Sequence, residues 1–215
     1  MRTTIFEHTF ELLADRAIHW LDENTLIVSD LHLGKSGHFR KSGIAAPQQI
    51  NQTNIRRLES LINRVQPDRM LILGDLFHSD INREWFHFED WRAGHNQLDI
   101  VLVAGNHDSL HSSFYDRANL RVCHQLKQQP FRFIHDSSGE PVTEFEFTFS
   151  GHIHPGVVIR GKGRQSVRLA CFYKNARQLI LPAFGEFTGL HILPDKEAES
   201  IYPIAENKVF QLNHV

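Results

Sequence analysis

Val101-Leu102-Val103-Ala104-Gly105-Asn106-His107-Asp108 passes within eight residues from an apolar run to an amide, an imidazole and a carboxylate side by side. An apolar run of strand length that stops at glycine reads as a buried strand ending in a loop. Ligand sites in open α/β sheets lie at the carboxyl ends of the strands, so chemistry is expected in this loop. The same grammar occurs upstream, where Thr25 to Ser29 runs into Asp30-Leu31-His32 and Met70 to Leu73 runs into Gly74-Asp75. A fourth polar cluster, Gly151-His152-Ile153-His154, follows the strand-like stretch Phe145 to Phe149.

The chain has 215 residues, which suits one domain, residues 1–215, with a sizeable core. No stretch has the length and apolarity of a membrane span, and Met1 to Phe10 lacks the basic-then-apolar pattern of a signal peptide, so a cytoplasmic protein without a membrane partner is expected. Two cysteines, Cys123 and Cys171, have neither metal nor redox spacing and suit a reducing compartment. A formal net charge of -2 gives no global attraction to nucleic acid, so any such attraction must be local. Histidine is the outlier, with fifteen residues.

Phe10 to Leu13 and Ala17 to Trp20 form a hairpin pattern around Asp15-Arg16. Asp30 and His32 are two apart, so on an extended segment both point the same way and can share an ion. Pro47 opens a helix whose apolar residues Ile50, Ile55, Leu58, Leu61, Ile62 and Val65 recur at helical spacing until Pro67. A second helix is expected over Arg83 to Ala93; its Trp85, Phe86, Phe88 and Trp91 are read as packing against the sheet rather than as an exposed patch. Asp99 to Ala104 is a central strand, and Ser109 to Arg117 a short helix. From Leu120 the pattern turns to strands: Leu120 to Leu126, Phe131 to His135, Phe145 to Ser150, Val157 to Arg160, Val167 to Tyr173, Gln178 to Leu181, and weaker ones near Ile201 and Val209. Helices early and strands late imply two packed sheets with helices outside.

Asp30, His32, Asp75, Asn106, His135, His152 and His154 form an oxygen-and-nitrogen donor set without sulfur, suited to borderline divalent ions such as manganese, iron or zinc. Seven donors are too many for one small ion and fit two, with a carboxylate between them. Two divalent ions outweigh Asp30, Asp75 and a bridging hydroxide, and the remaining positive charge attracts a phosphodiester. A pair of ions about 3.5–4 Å apart activates a shared water and stabilises both attacking and leaving oxygens at phosphorus.

Asp30-x-His32, Gly74-Asp75, Gly105-Asn106-His107-Asp108, His135 and Gly151-His152-x-His154 together resemble the calcineurin-like metallophosphoesterase signature, in order. The resemblance implies an α/β, four-layer αββα sandwich of two mixed β-sheets flanked by helices, with a dinuclear site at one edge. It assigns Asp30, His32, Asp75 and His154 to one ion and Asp75, Asn106, His135 and His152 to the other. It makes His107 the imidazole that assists the leaving oxygen, with Asp108 as its orienting partner. Ser29 to Lys35 with Phe39-Arg40, Gly74 to Ser79, and Leu181 to Gly189 resemble a bacterial subgroup described as a DNA-damage-response endonuclease associated with an ATP-dependent DNA ligase and a helicase. That implies a phosphodiesterase acting on DNA, with manganese as the metal and iron, zinc or nickel as alternatives. Hydrolysis of a small phosphate ester or cyclic nucleotide is the competing enzymatic reading, and a non-catalytic scaffold a third.

From Gly156 to Arg177 there are six basic residues and no acidic one. Arg160, Lys162 and Arg164 in this stretch, and Lys35, His38 and Arg40 after His32, are the candidates for holding substrate phosphate. His78 and His111 are weaker candidates for lining the pocket.

Overall fold

The chain opens with antiparallel strands β1 (Arg2–Ile5), β2 (His8–Leu13) and β3 (Ala17–Trp20), then enters β4 (Thr25–Val28). The computed structural model describes residues 1–34, 50–77, 83–139, 146–163, 165–186 and 188–212. Helix α1 (Ile50–Val65) leads to β5 (Arg69–Leu73), α2 (Arg83–Ala93) to β6 (Asp99–Val103), and α3 (Ser112–Arg117) to β7 (Arg121–Cys123). Strands β4 to β7 are parallel neighbours, as expected where each connection carries a crossover helix. The sheet therefore runs β1-β2-β3-β4-β5-β6-β7.

Alternation along the parallel strands assigns their two faces. Leu26, Val28, Met70, Ile72, Ile100 and Leu102 pack under Leu58 and Leu61 of α1 and Trp85 and Phe88 of α2. Ile27, Leu71, Leu73, Val101 and Val103 face the other way, into a core shared with the second sheet. Strands buried on both faces carry continuous apolar runs, which is why these segments stand out in the sequence.

The second sheet comprises β8 (Leu126–Gln128), β9 (Phe131–Phe133), β10 (Phe147–Ser150), β11 (Pro155–Arg160), β12 (Ser166–Lys174), β13 (Gln178–Ile180), β14 (His191–Ile192), β15 (Ser200–Ala205) and β16 (Lys208–Val209). Its path is β14-β11-β12-β13-β10-β9-β8, with β15 on β12 and β16 on β15. Parallel and antiparallel pairs occur in both sheets. Between the sheets lies an aromatic interior in which Phe131 meets Phe10 and Trp20 edge-on at 5.2 and 5.1 Å, and Phe133 stacks on Phe149 at 5.3 Å. Each such pair contributes about 0.5–1.5 kcal/mol beyond its area.

On the outer face of the second sheet, among the described residues, Val157, Cys171, Tyr173, Ile180 and Ile201 are covered by Ala198 with Leu193 and Leu212. A 3-10 turn, Asp195–Glu197, is the helical element beside this cover. The α/β sandwich of two mixed sheets stands as expected, with a thin fourth layer. Leu120 to Leu126 is not one strand: β7 ends at Cys123 in the first sheet and β8 begins at Leu126 in the second. His124-Gln125 is thus where the chain passes between sheets. Trp85, Phe88 and Trp91 are buried, while Phe86 is 51% exposed. No helix of the described residues is long and apolar enough to cross a membrane.

Candidate metal centre

Parallel pairing of β4, β5 and β6 brings their carboxyl ends to one edge, and the chain stays paired beyond them. The amide of Asp30 donates to Gly74 O at 3.1 Å, that of His32 to Asp75 O at 2.9 Å, and that of Leu33 to Leu76 O at 2.9 Å. The segment Asp30 to His32 is not extended, contrary to the sequence reading. Its polar residues are left-handed, with φ of 52° at Asp30 and 47° at His32, and Asp75 follows suit at 51°. His152 and His154, reached from the second sheet, have φ of 65° and 53°. Each left-handed non-glycine residue costs about 1–2 kcal/mol, and such strain concentrates at functional sites. Leu31 and Leu33, at 1% exposure, anchor the intervening positions in the helix-side core, so the polar residues still share one side.

Two groups of three donors result: Asp30, His32 and His154, and Asp75, His135 and His152, with the donor atoms of each group within 4.8 Å of one another. In the first group His154 Nε2 lies 3.3 Å from His32 Nε2 and 3.3 Å from Asp30 Oδ1. In the second, His135 Nε2 lies 3.4 Å from Asp75 Oδ1 and 3.1 Å from His152 Nδ1. Asn106 Oδ1 approaches His135 Nε2 at 3.0 Å. His135 Nδ1 sits 2.9 Å from Leu73 O; donating its proton there leaves Nε2 with a lone pair directed at the group. Nitrogen and oxygen lone pairs converging at these separations fit a divalent cation in each group.

The groups adjoin. His135 Nδ1 is 4.0 Å from Asp30 Oδ1, and Asp75 Oδ1 also accepts the His107 amide at 3.0 Å. His107 Nε2 lies 3.9 Å from Asp75 Oδ2, and its ring is 5.9 Å from that of His32, at the exposed rim. Asp30 is fully buried; burial works against its charge, but the hydrogen bond and charge of His154, with the charges of His135 and His32, hold its carboxyl below the ordinary value.

Glycines make room for these donors. A Cβ on Gly74, whose φ is +75°, would stand 2.2 Å from the His135 ring, and one on Gly151 would stand 2.6 Å from Asp30 Oδ2.

The calcineurin-like phosphoesterase family matches residues 24–150, from the start of β4 to the end of β10. The chain belongs to this family. Pseudomonas putida nuclease MPE superposes with a TM-score of 0.84 at 29% identity over 99% of each chain. Yfce, a phosphoesterase from E. coli, has a TM-score of 0.45 at 13% identity over 87% of this chain and 97% of that chain. No curated protein matches the sequence.

Beyond the donor groups, the fold gives the other candidate residues of this phosphoesterase varied places. Asp108 binds backbone amides on either side of the site. Its Oδ1 accepts the amides of Leu76 and Phe77 at 3.0 and 3.3 Å, and its Oδ2 that of Gly105 at 2.9 Å, so it clamps the Asp75 loop to the Asn106 loop. Arg160 and Lys162 are exposed at the far end of the β11–β12 hairpin, about 20 Å along the strand from His154 at the usual rise per residue. The fold therefore carries them away from the donors. Lys35, His38, Arg40, His78 and Arg164 lie outside the described residues. His111 caps α3, accepting the Ser113 amide at 3.3 Å.

The sequence reading also missed the supports beneath the first group. Phe184 N donates to Ser29 O at 2.8 Å and Gly185 N to Asp30 O at 3.0 Å, laying the loop after Leu181 against the left-handed segment. Arg57 holds that loop by donating to Phe184 O at 3.1 Å and lying 4.6 Å over the Phe184 ring, and Arg16 donates to Ala183 O at 3.3 Å. Leu181 to Gly189 entered only as a phrase resembling a subgroup; its contact with Asp30 has no local signal.

Proposed function

We propose that the protein is a metal-dependent phosphodiesterase that hydrolyses nucleic acid, with DNA as the expected substrate. The observation that carries this is the adjoining pair of donor groups with His107 at their rim. Family membership and likeness to a structure titled a nuclease support it. Asp30, His32 and His154 would hold one divalent ion; His135, His152 and Asn106 the other; Asp75 would stand between them. The ions would supply Lewis acidity at phosphorus and to an attacking water.

The chain's own residues do the rest. Leu73 O fixes the tautomer of His135. The Asp108 clamp sets the loop from which His107 projects, and His107, exposed beside Asp75, is placed to give a proton to the departing oxygen. Manganese as the resident ion, DNA repair as the setting, a ligase and a helicase as partners, a cytoplasmic location and a single domain over residues 1–215 belong to the same proposal. They rest on the subgroup resemblance and on a site that draws on both sheets.

The test compares an aryl phosphodiester, an aryl phosphomonoester and single-stranded DNA on one preparation, with manganese and with a chelator. Manganese-dependent hydrolysis of the diester and of DNA is expected. Preference for the monoester, or turnover that survives chelation, would overturn the reading.

A further inference from the structure

A cavity of about 460 Å³ opens beside the second donor group, with Asn106, His135 and His152 as one wall. Its volume lies within the range of small-ligand sites. The rest of the wall comes from His124 and Gln125, where the chain passes from the first sheet to the second, and from Arg132 and Asp136. None of these four belongs to the donor groups.

The chemistry of that wall selects its ligand. Asp136 Oδ2 lies 3.7 Å from His152 Nε2, and the carboxylate is held in place by the amide and hydroxyl of Ser138 at 2.8 and 2.7 Å. A fixed carboxylate beside the reaction centre accepts from an uncharged donor, and the Arg132 guanidinium in the same lining offsets its charge. Arg132 Nε donates to Gln125 Oε1 at 3.1 Å, which fixes the amide and leaves its NH₂ to meet an acceptor. Ile134 adds apolar surface. A carboxylate acceptor, an amide donor and an apolar patch in one cavity match the edge and face of a nucleobase, which carries donors and acceptors side by side.

We infer that this cavity is the subsite for a nucleoside adjoining the scissile phosphate, its base read by Asp136 and Gln125. The inference rests on the phosphodiesterase reading and names which part of the substrate lies on the side of the second donor group. A base seated there places the phosphate it carries against Asn106 and His152, which line both the cavity and the site. Selectivity for nucleotide esters over simple aryl esters then arises from the sheet crossing, a place without metal ligands.

The experiment has two arms. Manganese-loaded enzyme is assayed with bis(p-nitrophenyl) phosphate and with the 5′- and 3′-(p-nitrophenyl phosphate) esters of thymidine. At least one thymidine ester is expected to have the higher kcat/KM, and Gln125→Ala is expected to lower its ratio to the aryl diester about tenfold, the loss of one or two hydrogen bonds. An unchanged ratio, or no thymidine preference in the parent, overturns the subsite.

The second arm titrates thymidine, which has no phosphate, into metal-free protein labelled with nitrogen-15. Shifts at the Gln125 side-chain amide and the Asp136 backbone support the subsite, and their absence at saturating thymidine overturns it. Should the parent hydrolyse no diester at all, the phosphodiesterase reading fails, and the titration still decides the cavity.

Discussion

His32 Nε2 and His154 Nε2 face each other across 3.3 Å, one carried by the loop after a first-sheet strand and the other by the loop entering a second-sheet strand. Two neutral imidazoles meeting through bare lone pairs repel, so either a proton or a cation must lie between them. With Asp30 Oδ1 3.3 Å from the same His154 nitrogen, a divalent ion satisfies all three donors at once.

Replacing Asp75 by Asn tests the junction of the groups. The change removes one carboxylate charge from the place where the two donor groups adjoin while keeping the shape of the side chain. Metal analysis is expected to show occupancy falling from two ions per chain toward one, with phosphodiester turnover lost. Two retained ions with full turnover would remove Asp75 from the centre.

His107 is expected to separate binding from chemistry. It stands 3.9 Å from Asp75 and is 39% exposed, outside both groups of three donors. His107→Ala should leave metal content unchanged and lower kcat by roughly 10²–10⁴, the usual scale of general acid-base groups. Equal rates in variant and parent would sink its assigned role.

Gly151→Ala places a methyl group 2.6 Å from Asp30 Oδ2, 2.7 Å from Ser29 Cβ and 3.0 Å from Leu73 O, where three chain segments meet. Overpacking of this kind costs about 1–3 kcal/mol. A lower denaturant midpoint and loss of the ion nearest Asp30 are expected together. Parental stability and metal content would show that the backbone has room there after all.

Asp108 gives the fold a pH dependence of defined sign. Burial pushes its carboxyl from 3.8 up to about 6, against the backbone amides of Gly105 and Phe77, which favour the charged form. The folded chain therefore binds this proton more tightly than the unfolded chain. Its contribution to stability is fully present below pH 3.8 and is lost as pH rises through about 6. The shift corresponds to on the order of 3 kcal/mol. Denaturant titrations of metal-free protein between about pH 4 and pH 7 should show the parent losing stability relative to Asp108→Asn. Parallel curves for the two would refute the assignment.

The parallel strands were legible because burial on both faces leaves unbroken apolar runs, and α1 because its apolar stripe ends at Pro67. The residues of the two donor groups were legible because each follows a strand end. The left-handed backbone at Asp30 and His32 was not, since Leu31 and Leu33 preserve the alternation of a strand. Nor was the sheet change at His124-Gln125, where nothing interrupts the pattern of Leu120 to Leu126. Nearness of Arg160 to His154 in sequence does not carry over into space, because a strand is a straight rod that carries its end away. Support of Asp30 by Gly185 joins residues 155 positions apart and leaves no trace in either neighbourhood.

The first donor group takes Asp30 and His32 from one layer of the sandwich and His154 from the other, so the layers act as the jaws of a calliper closed on the site. The jaw opening is set by the rings of Phe10, Trp20, Phe131 and Phe149, well back from the edge. Trimming one of those rings would shift His154 relative to Asp30 and His32, and with it the fit of that group to an ion, without touching a donor. The geometry of the donor group is thereby written into positions that would otherwise be counted as filling.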